Sequence, residues 1–361
     1  MSAALAEVRV DEVLRLARLR NASDVHIAPS YRPVLRVDGS LETQTTMAPT
    51  AGEVERIANA LLDAYAAKRL ARTGDATATY RDAESGSFRV HAYRTAGGIA
   101  LAIRALAQSV PSLETLQLSP AVGAFGERAN GLVLFAGPTG SGKSTVLAAL
   151  VDAINRNESR HIVTIEDPVE YEHRSMRSIV SQREVGRDVV SFSAAIHGAL
   201  RSDPDVIMVG EMRESDTMHA ALTAAETGHL VFATLHTADA PQTVDRVISA
   251  FSGGMQDQVR VALAQVLAGV VCLRLIPRSD GRGRRAAAEV LVATDAVRSL
   301  IREGKTHQLR NAISTGRHVG MQTLESHLTD LVLRREVDIE TAKRFAERPN
   351  EVRLFERDAS A

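Results

Sequence analysis

Gly137, Pro138, Thr139, Gly140, Ser141, Gly142, Lys143, Ser144 and Thr145 satisfy the pattern G-x-x-x-x-G-K-[ST] completely. The stretch lies between an apolar run, GLVLFA, and a helix-forming run, STVLAALVDAI. That strand–turn–helix context is the one in which such a turn cradles phosphate. Gly140 and Gly142 let backbone N–H groups turn toward an anion with no Cβ in the way. Lys143 would reach β- and γ-phosphates, the Ser144 hydroxyl would ligate Mg²⁺, and the helix N-terminus adds partial positive charge. An accidental glycine-rich turn is the competing reading, and it needs neither flank. The chain is therefore expected to bind a nucleoside triphosphate, ATP in the simplest case.

Splitting a triphosphate takes a carboxylate near the metal and a group that orients or deprotonates the attacking water. Two segments offer carboxylates. In DPDVIMVGEMRE, four apolar residues lead to Gly210 and Glu211. Those two stand at the carboxyl end of a strand, where open α/β sheets bind ligands. Asp205 comes before that strand and reads as a cap or turn residue. In VTIEDPVEYEH, Glu166, Asp167, Glu170 and Glu172 crowd around Pro168. Their repulsion is costly unless a cation or arginines share the site. A solvated acidic loop is the other reading, and spacing alone does not choose the base.

TAAETGHLVFATLHT places an apolar strand between His229 and His236. Seven residues of strand span roughly 23 Å, so no single metal could take both rings while the segment stays extended. Histidines bonded to backbone at the two ends of a core strand are the plain alternative.

The elements that must carry these residues form two groups. The first hundred residues read as α+β. VDEVLRLARLR sets Val13, Leu14, Leu16, Ala17 and Leu19 on a helical stripe, and DVHIAPSYRPVLRVDGSLE reads as strands with a hairpin at Asp38-Gly39. A second helical stretch and two strands around Gly97-Gly98 follow. AQSVPSLETLQLSP, with Pro111 and Pro120, suits a linker. From Gly131 short β-rich runs alternate with helical segments, as in a parallel sheet covered on both faces. After about residue 254 the pattern reads as nearly all helical.

Bulk composition narrows the classes. The chain has 361 residues, 45% hydrophobic and 24% charged, with net charge −1. Near-neutral balance, 4% aromatic residues and no tryptophan give little for stacking on bases, so no nucleic-acid partner is expected. The single cysteine, Cys272, excludes an internal disulfide framework and a multi-cysteine zinc site. No signal peptide is apparent, and a cytoplasmic setting is expected. The most apolar window, VALAQVLAGVVCLRLIP, is interrupted by Gln265 and Arg274 and falls short of the ~18 residues of a spanning helix.

Taken together, ASDVHI, PVLRVDG, GPTGSGKST, TIEDPVEYEH, SQREVGRD, DPDVIMVGEMR, AAETGHLVFATLHT, AVRSLIREG and GMQTLESHL resemble the PilT-type retraction ATPases of type IV pili, within the secretion-ATPase family. The resemblance covers nearly the whole chain. It implies an α/β fold: a PAS-like α+β domain over 1–107, a linker over 108–120, and a RecA-like P-loop ATPase domain with a helical tail over 121–361. It also implies roles. Glu170 falls on the catalytic glutamate of the Asp box, supported by Glu166 and Asp167. Glu211 falls on the Walker B glutamate that acts on Mg²⁺ through water, and His229 and His236 on the His box that senses the γ-phosphate. Arg89 and Arg104 match arginine fingers; the family's usual third arginine is not at its place, where Gly97 stands, and Arg94 lies close enough to substitute. Without the match, each arginine would read as a solvated strand-edge residue.

Longer relatives that extend pili or serve type II secretion commonly carry a four-cysteine zinc insert, which this chain cannot build. AVRSLIREG is similar to AIRNLIRE, the motif tied to retraction, with Val297 and Ser299 as departures. A PilU-type paralogue stays open, as does an assembly scaffold with little turnover. The family implies a homo-hexameric ring driven by ATP and Mg²⁺. It would depolymerise pilin through an inner-membrane platform protein, sit peripherally at that membrane without inserting, and work in some systems beside a paralogous ATPase.

Overall fold

The computed structural model describes residues 9–37, 39–106 and 109–353. Asp38 of the expected hairpin, and residues 107 and 108 of the expected linker, lie outside them. By contacts the chain divides into two units. One holds residues up to Ser109 together with Pro168–Glu172, and the other holds Val110–Asp167 and the chain from His173 on.

In the first unit, alternation of apolar and polar residues builds an antiparallel sheet from β1 (Asp24–Ala28), β2 (Tyr31–Val37), β3 (Ser40–Thr43), β4 (Asp75–Asp82), β5 (Gly86–Thr95) and β6 (Gly98–Ala105). Its order is β3-β2-β1-β6-β5-β4. Ile27, Leu35, Phe88, Leu101 and Ile103 are fully buried in it. Helix Val10–Leu19 buries Val13, Leu14 and Ala17, but Leu19 is 76% exposed and does not belong to the stripe. Helix Ala51–Leu61 starts at a capping box, Thr50 with Glu53, which satisfies two otherwise orphaned N–H groups.

In the second unit, the apolar runs form β7 (Gly131–Ala136), β8 (His161–Glu166), β9 (Ile179–Glu184), β10 (Val206–Val209), β11 (Leu230–Thr234), β12 (Leu267–Pro277) and β13 (Arg284–Val292). The order is β13-β12-β7-β11-β10-β8-β9, and only the β12–β13 pair is antiparallel. β7, β10 and β11 are buried along their whole length, as helices on both faces require.

β12 and β13 correct the expectation that the chain is nearly all helical after 254. Helix Gly253–Val266 does occupy the first part, but the apolar window then continues as strand. A continuous apolar run suits a buried helix and a buried strand equally, and periodicity does not separate them. Gly269 marks the change, because a Cβ there would lie 2.2 Å from the Phe125 ring. Further along, the retraction-motif segment forms helix Asp295–Arg302, which buries Val297 and Ile301. Its Arg298 donates to the carbonyl of Ala264 at 2.8 Å, near the end of helix Gly253–Val266.

One carboxylate of the sheet is out of water. Glu289 on β13 is 3% exposed, and burial pushes its carboxyl from an ordinary 4.5 to about 7, against the downward pull of the Ala240 N–H bond. The folded chain therefore holds a proton that the unfolded chain has released, and stability falls as pH rises between those two values. The penalty is complete above the higher value and amounts to about 3 kcal/mol at 1.36 kcal/mol per pH unit. Glu289→Gln, uncharged throughout, is expected to be more resistant to urea than the unsubstituted protein at about pH 8 and equal to it at about pH 4.5, as read by denaturation midpoints at the two pH values.

Candidate active site

At the end of β7 the chain enters the glycine-rich turn, and three residues take positive φ: Gly137 at 137°, Gly140 at 77° and Gly142 at 96°. Gly137 has a second requirement, since a Cβ would lie 2.4 Å from the Leu273 carbonyl oxygen and 2.6 Å from Ser141 Oγ. Helix Lys143–Asn157 starts directly after Gly142. Lys143 folds back over the turn and donates from Nζ to the carbonyls of Gly137 at 2.7 Å and Pro138 at 3.0 Å. Thr139, Gly140 and Ser144 are exposed on the rim. Ser141 Oγ is buried and has no hydrogen-bond partner among the described residues. An orphaned buried hydroxyl costs about 1–3 kcal/mol, a cost that an incoming phosphate oxygen would offset. The residues present fit a magnesium-bound triphosphate.

The parallel neighbours of β7 bring the acidic segments to the same edge. Beyond the strands, loops are tied by backbone bonds: Leu235 N–H to Phe135 O at 2.9 Å, Met212 N–H to Thr234 O at 2.9 Å, and Gly210 N–H to Ile165 O at 2.7 Å. Gly210 lies so close to β8 that a Cβ would stand 3.1 Å from the Ile165 oxygen. Glu211, the next residue, accepts from Arg213 and meets His236 Nε2 at 2.7 Å. Burial alone would raise its carboxyl. The hydrogen bond and charge of Arg213, joined by those of His236, outweigh burial and hold it below the ordinary value. Arg213 was not singled out in the sequence, although it stands in the same GEMR stretch two residues on.

Glu166 ends β8, is buried, and accepts from Thr164 Oγ1 at 2.7 Å and Gln182 Nε2 at 3.1 Å. Asp167 is exposed beside it. Gln182 also accepts the His173 N–H at 2.8 Å, so one side chain braces both ends of the acidic segment. No local pattern marked it. Glu170 is half-buried within Pro168–Glu172, the stretch that packs with the first unit. There Glu172 pairs with Arg81 and accepts from Ser87 Oγ at 3.0 Å.

The two histidines part company. His236 joins Glu211, whereas His229 sits before β11, at the end of the sheet opposite the glycine-rich turn. Its Nδ1 lies 2.9 Å from the Ala224 carbonyl oxygen and 3.2 Å from Thr227 Oγ1. Asp205 is a turn residue as expected, accepting the His161 N–H at 2.7 Å. In the first unit Arg89 and Arg104 face each other across β5 and β6. Arg104 pairs with Asp24 at 2.9 Å.

The whole arrangement can be compared with known proteins. The family model of the type II/IV secretion system protein matches residues 2–350. The chain belongs to that family. It is 39% identical to the type IV pilus retraction ATPase PilT of Pseudomonas aeruginosa, over 94% of this chain and 98% of that one. It is 36% identical to the type IV pilus ATPase PilU of the same organism, over 96% and 90% of the two chains. The crystal structure of the pilus retraction motor PilT with bound ADP superposes with a TM-score of 0.89 at 37% identity, covering 96% of this chain and 99% of that one.

Gly137→Ala tests the shape of the turn. Its methyl group meets backbone on one side and Ser141 on the other, so the turn must open. Affinity for a fluorescent ADP analogue is expected to fall at least tenfold, and urea stability by on the order of 1–3 kcal/mol.

Proposed function

We propose that this chain is the ATP-hydrolysing motor of type IV pilus retraction, of the PilT rather than the PilU type. One observation carries the reading. The glycine-rich turn, with its orphaned Ser141 hydroxyl, lies at the same sheet edge as Glu211 and His236, in a chain that matches PilT over 94% of its length. The chain is also nearer in identity to PilT than to PilU, 39% against 36%.

Residues 137–145 would wrap the phosphates, with Lys143 exchanging its two loop carbonyls for phosphate oxygens. Mg²⁺ arriving with the nucleotide would supply charge neutralisation, faced by the Ser144 hydroxyl and by Glu211. Glu170 is assigned as the base that takes the proton of the attacking water. Glu166 and Asp167 sustain the negative field around it. His236, bonded to Glu211, is placed to register whether the γ-phosphate is present, and His229 to pass that state along the far end of the strand. Arg89 and Arg104 would neutralise charge developing on the γ-phosphate. Arg104 must leave Asp24 to do so; the guanidinium is exposed and the carboxylate half-buried, where Ser23 Oγ still donates to it.

A ring of six copies would convert this cycle into movement and hand it to an inner-membrane platform protein. Attachment to the membrane would then run through that partner. Among the described residues no helix is long and apolar enough to cross a membrane.

Two substitutions test the reading. Lys143→Ala is expected to abolish nucleotide binding and phosphate release together. Glu170→Gln is expected to keep ATP affinity within a few-fold and to lower phosphate release roughly 100-fold or more. Undiminished release from Glu170→Gln would remove Glu170 from the chemistry. An unsubstituted protein that binds ATP and releases no phosphate, even as a ring, would favour the scaffold reading.

A further inference from the structure

Among the described buried carboxylates of the second unit that lie outside the proposed catalytic groups, Glu289 is the one bonded to the start of a helix that follows the His236 loop. Glu289 stands on β13 opposite Cys272, and Cys272 stands opposite Ala136, the residue before the glycine-rich turn. Its Oε1 accepts the N–H of Ala240 at 2.8 Å. Ala240 is the first residue of the helix Ala240–Ser249.

The opening turn of that helix has no spare donor. Ala240 N–H goes to Glu289, Pro241 has none, Gln242 N–H goes to Asp239 Oδ1 at 2.7 Å, and Thr243 N–H goes to the Asp239 carbonyl at 3.0 Å. The loop before it is tied as firmly. The Thr243 hydroxyl, wholly buried, donates to Asp239 O at 2.6 Å and meets the Thr237 hydroxyl at 2.7 Å. Thr237 is the neighbour of His236, whose ring reaches Glu211. The path from Glu289 to the His236 ring therefore runs through one helix start and four loop residues, 236–239, with hydrogen bonds at Asp239, Thr237 and His236.

We propose that Glu289 is a positioning residue: it clamps the amino end of helix Ala240–Ser249 and so holds His236 in register with Glu211. The proposal rests on the ATPase reading of that edge. A helix start left without this clamp would keep its Asp239 cap and its apolar packing, and its remaining polar tie to the sheet would be the weak contact of the Thr243 hydroxyl with Cys272 Sγ at 3.9 Å. The chain between Leu235, which stays bonded to Phe135, and Ala240 could then drift away from β12. A carboxyl oxygen, charged or not, meets the need because the Ala240 N–H requires an acceptor and burial keeps water from competing for it.

Three variants separate positioning from general damage. Glu289→Gln keeps a carbonyl oxygen for Ala240 and is expected to turn over ATP within twofold of the unsubstituted protein. Glu289→Ala removes the acceptor and Glu289→Asp draws it back by one methylene. Both are expected to lower kcat about tenfold, the scale of loss from small misplacement of a working group, with KM and ADP affinity within twofold. Adding Glu289→Ala to His236→Ala should cost nothing further, since one residue acts through the other. Hydrogen exchange of amides 237–243 should quicken in the Ala and Asp variants and not in the Gln variant.

Additive losses in the double variant would overturn the proposal. So would a Gln variant as poor as Asp, or a fall in ADP affinity matching that in kcat. Should Glu289→Ala fail to fold, the Asp and Gln pair decides. Should the unsubstituted protein release no phosphate, the ATPase reading fails, and the exchange comparison still decides whether Glu289 holds the loop.

Discussion

Parallel strands in register deliver their carboxyl ends to one line, and β8, β10, β11 and β7 do so as neighbours. The loops leaving that line cannot spread apart, because each is bonded through its backbone to the strand beside it. Gly210 holds to Ile165, Met212 to Thr234 and Leu235 to Phe135. Side chains that follow these anchors by one residue inherit their precision, Glu211 after Gly210 and His236 after Leu235. Backbone pairing thus brings the two side chains to within 2.7 Å from the strand side, and the proposed Glu289 clamp acts on the far side of the His236 loop.

Charge then decides the state of the edge. A carboxylate partly withdrawn from water would ordinarily hold its proton more tightly, and Glu211 does the opposite because Arg213 and His236 both face it. Arg213 is largely solvated, so its hold on Glu211 is screened and easily exchanged for another cation. Glu166 is handled differently. Buried and supplied with donors by Thr164 and Gln182, it is a fixed part of the wall. Glu211 thus has an exposed partner that it can exchange, whereas Glu166 is held by buried donors. That division is what a site cycling between nucleotide states needs.

Much of this was legible in the residue order, for local reasons. The glycine-rich turn depends on backbone freedom and on flanking periodicity, and both are visible within twenty residues. Glu211 follows from the end of a short apolar strand, and Asp205 from its beginning. What stayed hidden depended on distant contacts. The histidines look equivalent in the sequence, seven residues apart, yet strand direction sends one toward the phosphate edge and the other away from it. Gln182 reaches Glu166 only because β9 pairs with β8. Glu289 lies in an unremarkable AAEVL run, and its burial comes from packing that no local pattern records. The misreading of β12 has the same source, since an apolar run buried on every side keeps no periodic trace of its geometry.

That misread strand matters for the phosphate cradle itself. β12 runs beside β7 and continues past it, so Leu273 and Leu275 lie alongside the turn rather than beneath the sheet. The Leu273 carbonyl occupies the space a Cβ on Gly137 would need, and the Leu275 side chain comes within 3.6 Å of where one on Gly142 would stand. The glycines of the motif therefore answer two demands at once. They leave backbone N–H groups open toward an anion on one side, and they let a neighbouring strand close against the turn on the other. A turn supported in this way has little freedom to collapse when its ligand leaves. The same strand stands opposite Glu289 on β13, so the wall that shapes the cradle also carries the clamp on the His236 loop. A shift of β12 relative to β7 would disturb the phosphate turn and the His236 loop together, which makes the β7–β12 pairing the shared mechanical reference for both halves of the site.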